Sequence, residues 1–262
     1  MAPPVFVVGD VHGHRDALVG LLRAAGLVDD GDRWSGQDVV VWLVGDLVDR
    51  GPDGIGAIDL VRRLEAESHS AVRCLLGNHE VLLVAVHRFG GEETSLAGTS
   101  FRDVWRVNGG LESDLRALTQ EHVDWITARP ALGREGDVLL VHADTDAYLR
   151  YGTTVDEVND TISAVLRDGS VDEVDELLEA LSDRARLLEP ERVDALLDRF
   201  GGSRIVHGHT PIAAVRGVDP RVVTGPLVYG NGRVLNVDHC LFSGGPGFVV
   251  RLEEEDGSGP EA

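Results

Sequence analysis

The chain has 262 residues, 43% of them hydrophobic, a formal net charge of -21, and 24 basic side chains that are all arginine. This length can bury a sizeable core as one domain; the negative field disfavours nonspecific binding to nucleic acid or an anionic membrane, and a lysine-free chain has no Schiff-base or P-loop lysine chemistry. No run of about 18 apolar residues occurs, the opening MAPPVFVVGD lacks the segments of a secretion signal, and the spacing of Cys74 and Cys240 suggests neither a zinc knuckle nor a disulfide framework, so a soluble, cytoplasmic protein with reduced thiols is expected.

The first predicted strand, VFVVGD at 5–10, runs into GDVHGHRD, which sets Asp10 and His12 two positions apart where the strand ends. A helix follows in RDALVGLLRAAG, where Leu18, Leu21, Leu22 and Ala25 share one face and Gly26 stops it. Further strands are expected at 38–46, 71–78, 137–144 and 203–209, then a hairpin in PLVYGNGRVLNVD whose tight turn takes its positive φ angles from Asn231-Gly232. Residues 85–130 and 145–200 read as helical insertions between core strands. Two helices of the second insertion open with capping boxes, Thr154 to Glu157 and Ser170 to Glu173, and their carboxylates read as solvated faces. The expected architecture is α/β, two sheets covered by helices, in a single domain over 1–252 with a disordered acidic tail at 253–262.

Metal-binding side chains recur where these strands end: Asp10 and His12, Asp46 and Asp49, Asn78 and His79, His142 and Asp144, His207 and His209. Strand ends of an open α/β sheet meet at one rim, so residues distant in sequence can converge. Carboxylate, imidazole and amide oxygen suit Mn, Fe or Zn, and a central carboxylate such as Asp46 can bridge two ions about 3.5–4 Å apart. Two divalent ions would outweigh Asp10, Asp46 and one hydroxide, making the site a phosphate trap even in an acidic chain. The planar fork of Arg50 matches two phosphate oxygens. Gly9, Gly13, Gly45, Gly51 and Gly77 flank the set and offer it backbone freedom.

GDVHG at 9–13, GDLVDRG at 45–51, GNHE at 77–80, VHAD at 141–144 and HGHTP at 207–211 together resemble the calcineurin-like metallophosphoesterases, in their phosphoprotein phosphatase branch. The resemblance implies a metallophosphoesterase β-sandwich flanked by helices. It implies that Asp10 and His12 bind one ion, that Asp46 bridges, and that Asn78, His142 and His209 bind the other. Mn2+ is the ion expected first, with Fe or Zn as alternatives. It makes His79 the general acid, oriented by Asp49, while Arg50 and Asn78 hold the phosphoryl group that a metal-bound hydroxide attacks. A further arginine is expected from LSDRARLLEP, Arg184 in preference to Arg186. His207 is expected as a packed neighbour, since Pro211 holds the place of a second ligand. His14, His69, His87, His122 and His239 receive no site role.

VHAD is closest in form to bacterial and phage members, which include serine/threonine protein phosphatases of broad monoester activity and the related diadenosine tetraphosphate hydrolases. The segment FRDVWRVNGGLESDLRAL resembles both. A phosphorylated protein or small phosphate ester is therefore the first substrate class, a dinucleotide polyphosphate or other nucleotide the alternative, and a silent binding module the third reading. LNVDHCLFSGG departs from the Asn-x-Asp-Thr-Gly-like strand of the family, with His239-Cys240 in place of the small pair. The substrate, the oligomeric state and the role of the acidic segment at 154–189 are left open.

Overall fold

In the computed structural model, residues 3–92, 94 and 98–252 are described. Strands β1 (Val5–Val8), β2 (Val40–Leu43), β3 (Val72–Cys74), β4 (Leu132–Glu135), β5 (Val138–Val141), β6 (Arg204–His207), β7 (Leu227–Tyr229), β8 (Val234–Asn236) and β9 (Val249–Leu252) form two sheets. The first has the order β3-β2-β1-β9, the second β4-β5-β6-β8-β7. Neighbours pair in parallel except β1 with β9, β4 with β5 and β7 with β8.

Helix α1 (Arg15–Ala24) follows β1 and α2 (Gly54–Glu67) follows β2. After β3 come α3 (Asn78–Phe89), α4 (Phe101–Val107), α5 (Glu112–Ala117) and α6 (Gln120–Thr127). Helices α7 (Val155–Asp168), α8 (Val171–Ser182) and α9 (Pro190–Phe200) separate β5 from β6, and α10 (Ile212–Arg216) follows β6. None is long and apolar enough to cross a membrane, among the described residues.

Side chains alternate between two cores with the period of a strand. Val7, Val40, Trp42, Val138, Leu140 and Val206 lie in the cluster between the sheets, whereas Val8, Val41, Leu43, Leu139, Val141 and Ile205 lie in the larger cluster that also takes in the helices. Continuous apolar runs such as VVWL and VLLV are what strands covered on both faces require. The result is the expected sandwich with helices outside.

Two strands lie outside those expected from the sequence. In β4, LGRE has no β-branched residue, and its Gly133 is needed because a Cβ there would come within 2.6 Å of the Trp42 ring. Strand β9 pairs with β1 from the far end of the chain, a contact that no local pattern announces. The hairpin also differs from expectation. Tyr229 pairs with Val234, so its loop has four residues, with positive φ at Gly230 as well as Asn231 and Gly232. The Ser170–Glu173 capping box is reciprocal, but Glu157 returns to the N–H and hydroxyl of Thr153 instead of the Thr154 N–H. The acidic tail expected to be disordered lies outside the described residues.

Candidate active site

The predicted residues meet where β1, β2, β3, β5 and β6 end. They lie just beyond the strands, on backbone that turns sharply: φ is 45° at His12, 52° at Asp46, 66° at Asp49, 67° at Arg50 and 65° at His209. Such angles in non-glycine residues cost roughly 1–3 kcal/mol each and persist only where the surroundings dictate them. Of the five flanking glycines only Gly13 and Gly45 also take positive φ, so most of this conformation falls on the functional residues themselves. Gly45 takes φ 104°, while Gly77 is needed for closeness, since a Cβ there would lie 2.2 Å from Asp46 Oδ1.

Hydrogen bonds show what dictates the loops. The amides of Val11 and His12 both donate to the Asp46 carbonyl, at 3.0 and 2.8 Å. Glu80, on the first turn of α3, accepts from the amides of Asp46 (2.8 Å), Leu47 (2.7 Å), Val48 (3.3 Å) and Gly77 (3.0 Å). The Asp46 carboxylate accepts from the His79 amide at 3.0 Å. Glu80 stands inside GNHE, but only its neighbours have an obvious chemical role, so its structural work is visible only once the strand ends are side by side.

The imidazoles are set with one nitrogen anchored. Nδ1 of His12 lies 3.1 Å from the Val48 carbonyl and Nδ1 of His142 lies 2.8 Å from the Val44 carbonyl, so each places its proton there and keeps the Nε2 lone pair. Second partners of this kind fix the tautomer of a metal-binding histidine. His142 Nε2 is 3.3 Å from Asp46 Oδ1, and His12 Nε2 is 3.6 Å from Asp46 Oδ2. His209 is reversed: Nε2 reaches the Ser182 carbonyl at 3.4 Å, and its buried Nδ1 has no partner. His79 gives Nδ1 to Asp49 at 2.7 Å and turns Nε2 toward Arg50 Nη2 at 3.0 Å.

Asp10, His12, Asp46, Asn78, His79, His142 and His209 are all buried. Burial pushes the Asp10 carboxyl well above its ordinary range, and neighbouring Asp238 and Asp46 push it further. Burial raises Asp46 too, but His142, His79, His12 and His209 together outweigh it and hold the group low. Burial lowers His12 and His209 strongly, and lowers His142. For His79, burial is overcome by Asp46 and Asp49, and its affinity for a proton rises.

These donors fit divalent ions. His12, Asp46 and His79 offer ligand atoms within 4.8 Å of one another, as do Asp46, His142 and His209. Asp46 is common to both groups, and neither contains a thiolate. The lone Nδ1 of His209 and crowded carboxylates are groups that a cation satisfies. Asp10 stands in neither group: both its oxygens accept the His209 amide, at 3.1 and 3.0 Å, and its Oδ2 lies 3.9 Å from His12 Nε2. Asn78 joins the second group through Oδ1, 3.0 Å from His142 Nε2.

Arg50 comes to the same place. Its Nη1 lies 2.7 Å from His12 Nε2, its amide donates to the Gly109 carbonyl at 2.8 Å, and its guanidinium covers the Phe242 ring at 4.3 Å. Arg184 donates to the His209 carbonyl, whereas Arg186 turns to Asp183 at 2.7 Å. Asp144 ties this segment down by accepting from the Ala185 amide at 2.9 Å and the Thr210 hydroxyl at 2.6 Å. His207 is buried between the Gly208 carbonyl and the Tyr229 hydroxyl, both at 2.8 Å. His239 packs against Phe248, its ring nitrogens unpartnered and its basicity lowered to about 3 by burial.

Four side chains were not assigned from sequence: Glu80, Trp105, Asp238 and Phe242. Trp105 donates from Nε1 to Asp49 Oδ1 at 2.8 Å. Asp238, raised to about 6 chiefly by burial, repels Asp10. A hint lay in the segments around them, FRDVWRVNGG and LNVDHCLFSGG, but neither has a spacing that names a partner.

The family model for calcineurin-like phosphoesterases matches residues 3–213. Two symmetrical bis(5'-nucleosyl)-tetraphosphatases are similar, from Neisseria meningitidis at 30% identity over 138 residues and Enterobacter sp. at 34% over 140. Each match covers 53% of this chain and 42% of the relative, so the shared part is under half the relatives' length. The cold-active protein-tyrosine phosphatase of a Shewanella species has the same fold, with a TM-score of 0.71 at 19% identity over 97% of this chain and 76% of that one. With its motifs carried on the ends of the strands and its family model covering residues 3–213, most of its length, the chain belongs to the calcineurin-like phosphoesterases.

Proposed function

We propose that the protein hydrolyses phosphate monoesters with the help of two divalent metal ions, Mn2+ foremost. The observation that carries this reading is Asp46 standing between two sets of donors, 3.6 Å from His12 on one side and 3.3 Å from His142 on the other, with Arg50 and the His79–Asp49 pair on the same buried rim. Asp10, His12 and Asp46 would hold one ion, and Asp46, Asn78, His142 and His209 the other. Bound there, the ions supply Lewis acidity to the phosphoryl oxygens and make a water nucleophilic near neutral pH.

The protein's own groups do the rest. Arg50, whose planar fork matches two phosphoryl oxygens, binds the phosphate together with Asn78 and Arg184. His79 Nε2 protonates the departing oxygen, with Asp49 holding the opposite nitrogen and so the ring's orientation. His79→Ala should keep its metals and lose most turnover, about a hundredfold or more with alkyl esters; metal content with unchanged turnover would remove that role. Strand β9, which completes the first sheet from residues 249–252, supports one catalytic domain through residue 252.

Phosphoserine or phosphothreonine proteins and small phosphate esters are the substrates we favour. A second reading, cleavage of dinucleotide polyphosphates, is favoured by the names of the curated relatives. Metal-stripped protein, with and without Mn2+, is to be assayed on p-nitrophenyl phosphate, a phosphothreonine peptide and diadenosine tetraphosphate. Mn2+-dependent turnover of the ester and peptide is expected. A strong preference for the dinucleotide would transfer the assignment to the second reading, and no turnover by metal-loaded protein would overturn both.

A further inference from the structure

Asp49 is fully buried, and each of its carboxylate oxygens faces one N–H donor: Oδ2 the Nδ1 of His79 at 2.7 Å, Oδ1 the Nε1 of Trp105 at 2.8 Å. Indole Nε1 can only donate. The Trp105 ring is itself fully buried, and Gly110 lies against it so closely that a Cβ there would meet ring carbons at 2.1 Å. The preceding residue, Gly109, accepts the Arg50 amide. The end of α4 and the turn after it, residues 105–110, thus set both the arginine and the carboxylate behind His79.

We infer that Trp105 is a positioning residue for ester cleavage, the outer member of a Trp105–Asp49–His79 relay that aims the proton of His79 Nε2 at the leaving oxygen. The inference rests on the general-acid role proposed for His79. In that step the P–O ester bond breaks and the Nε2 proton passes to the departing oxygen, giving the alcohol. A water oxygen becomes the new phosphate oxygen, its proton is released, and His79 is reprotonated from solvent. The indole N–H keeps the Asp49 carboxylate from turning, so Nδ1–H stays bound and Nε2 stays in the site. Without that donor, Oδ1 is a buried charged acceptor with no partner, and the carboxylate rotates to find one.

The dependence on leaving group separates this role from mere packing. A nitrophenolate departs without a proton, whereas an alkoxide needs one. Trp105→Phe, and benzothienylalanine at position 105 to keep the ring volume while deleting N–H, are to be assayed as Mn2+-loaded enzyme on p-nitrophenyl phosphate and on a phosphothreonine peptide. The expected result is a fall in kcat of about tenfold on the peptide but less than about threefold on the aryl ester, with KM little changed. Equal losses on both substrates, or none on either, would overturn the relay. His79→Asn run alongside tests the underlying reading. If that variant shows the leaving-group dependence and the Trp105 variants do not, Trp105 is only a packing residue and the general acid stands. If His79→Asn shows none, the general-acid reading itself fails.

Discussion

The rim of the site has two halves, built in different ways. On the side of the first sheet, the amides of Asp46 and Arg50 donate to Glu80 and the Gly109 carbonyl and Asp49 accepts from Trp105, with Asp46 and Asp49 at 1% and 0% exposure. On the side of the second sheet, the His209 ring hydrogen-bonds only to the Ser182 carbonyl, at 3.4 Å, and Arg184 projects from an exposed turn after α8. The difference teaches that the groups proposed for proton transfer are fixed at their side chains, whereas on the opposite wall the short bonds of His142 and Asp144 stand beside a His209 ring held by one long contact and an Arg184 side chain that is exposed. Loosely held segments are where local opening is cheapest.

The sharpest way to break this comparison is to remove an arginine from each half. Arg50→Ala deletes a guanidinium that reaches both His12 and His79, and should lower kcat/KM by about 10²–10³, the scale of one charge-stabilising donor in a buried site. Arg184→Ala should cost about tenfold, expressed mainly in KM, because that side chain is exposed and hydrogen-bonded to a backbone carbonyl. Steady-state kinetics on p-nitrophenyl phosphate would decide it. Equal losses at both positions would mean that the halves bind phosphate alike.

A second pair tests rigidity. Each oxygen of Glu80 accepts two amides, so Glu80→Gln points an NH2 at two N–H donors and should cost about 2–4 kcal/mol of folding stability. Burial and Asp46 push the Glu80 carboxyl up to about 7, while the amides pull it down. With every hydrogen-bond partner an N–H donor, the loop is built around the ionised form. Asp144→Asn can keep both its bonds, its oxygen on the Ala185 amide and its NH2 on the Thr210 hydroxyl oxygen, and should cost about 1 kcal/mol or less. Denaturant midpoints at neutral pH measure both, and a larger loss at Asp144 would reverse the ranking of the two halves.

How much of this was legible in the sequence follows from how the contacts are made. Asp10, His12, Asp46, Asn78, His79, His142 and His209 announce themselves because a strand end confines each to a short motif, and the sheet topology brings the motifs together. Arg184 was harder: LSDRARLLEP offers two arginines, and only the fold of the turn shows that Arg184 meets His209 while Arg186 meets Asp183. Trp105 and Phe242 were not legible at all as partners of Asp49 and Arg50. They reach the site from 56 and 192 positions away along contacts that have no periodicity. Strand β4 was missed for the related reason that pairing, not composition, makes LGRE a strand, whereas β9 has the composition of a strand in VVRL and only its pairing with β1 was out of reach.

The smallest expected effect lies behind the rigid half. Asp114, on α5, lies near the amides of Gly54 and Ile55 at the start of α2, which favour its ionised form, yet its Oδ2 has no partner. Burial first, and repulsion from Asp49 second, push its carboxyl from 3.8 to about 6. The folded chain therefore binds a proton that the unfolded chain has released between about pH 4 and 6, and this group's contribution to stability falls as pH rises through that window. Below it both states are protonated and the cost is absent; above it the folded state carries the whole cost. Solvent screening reduces that cost to about 1 kcal/mol, so Asp114→Asn should raise Tm by about 2–4 °C at pH 8 and leave it unchanged near pH 4. Because many other carboxylates titrate in the same range, the quantity to follow is the difference between variant and parent across pH, by calorimetry. A difference that shrinks as pH rises would show that Asp114 is held ionised at little cost, and that the repulsion with Asp49 is relieved by some other contact in the rigid half.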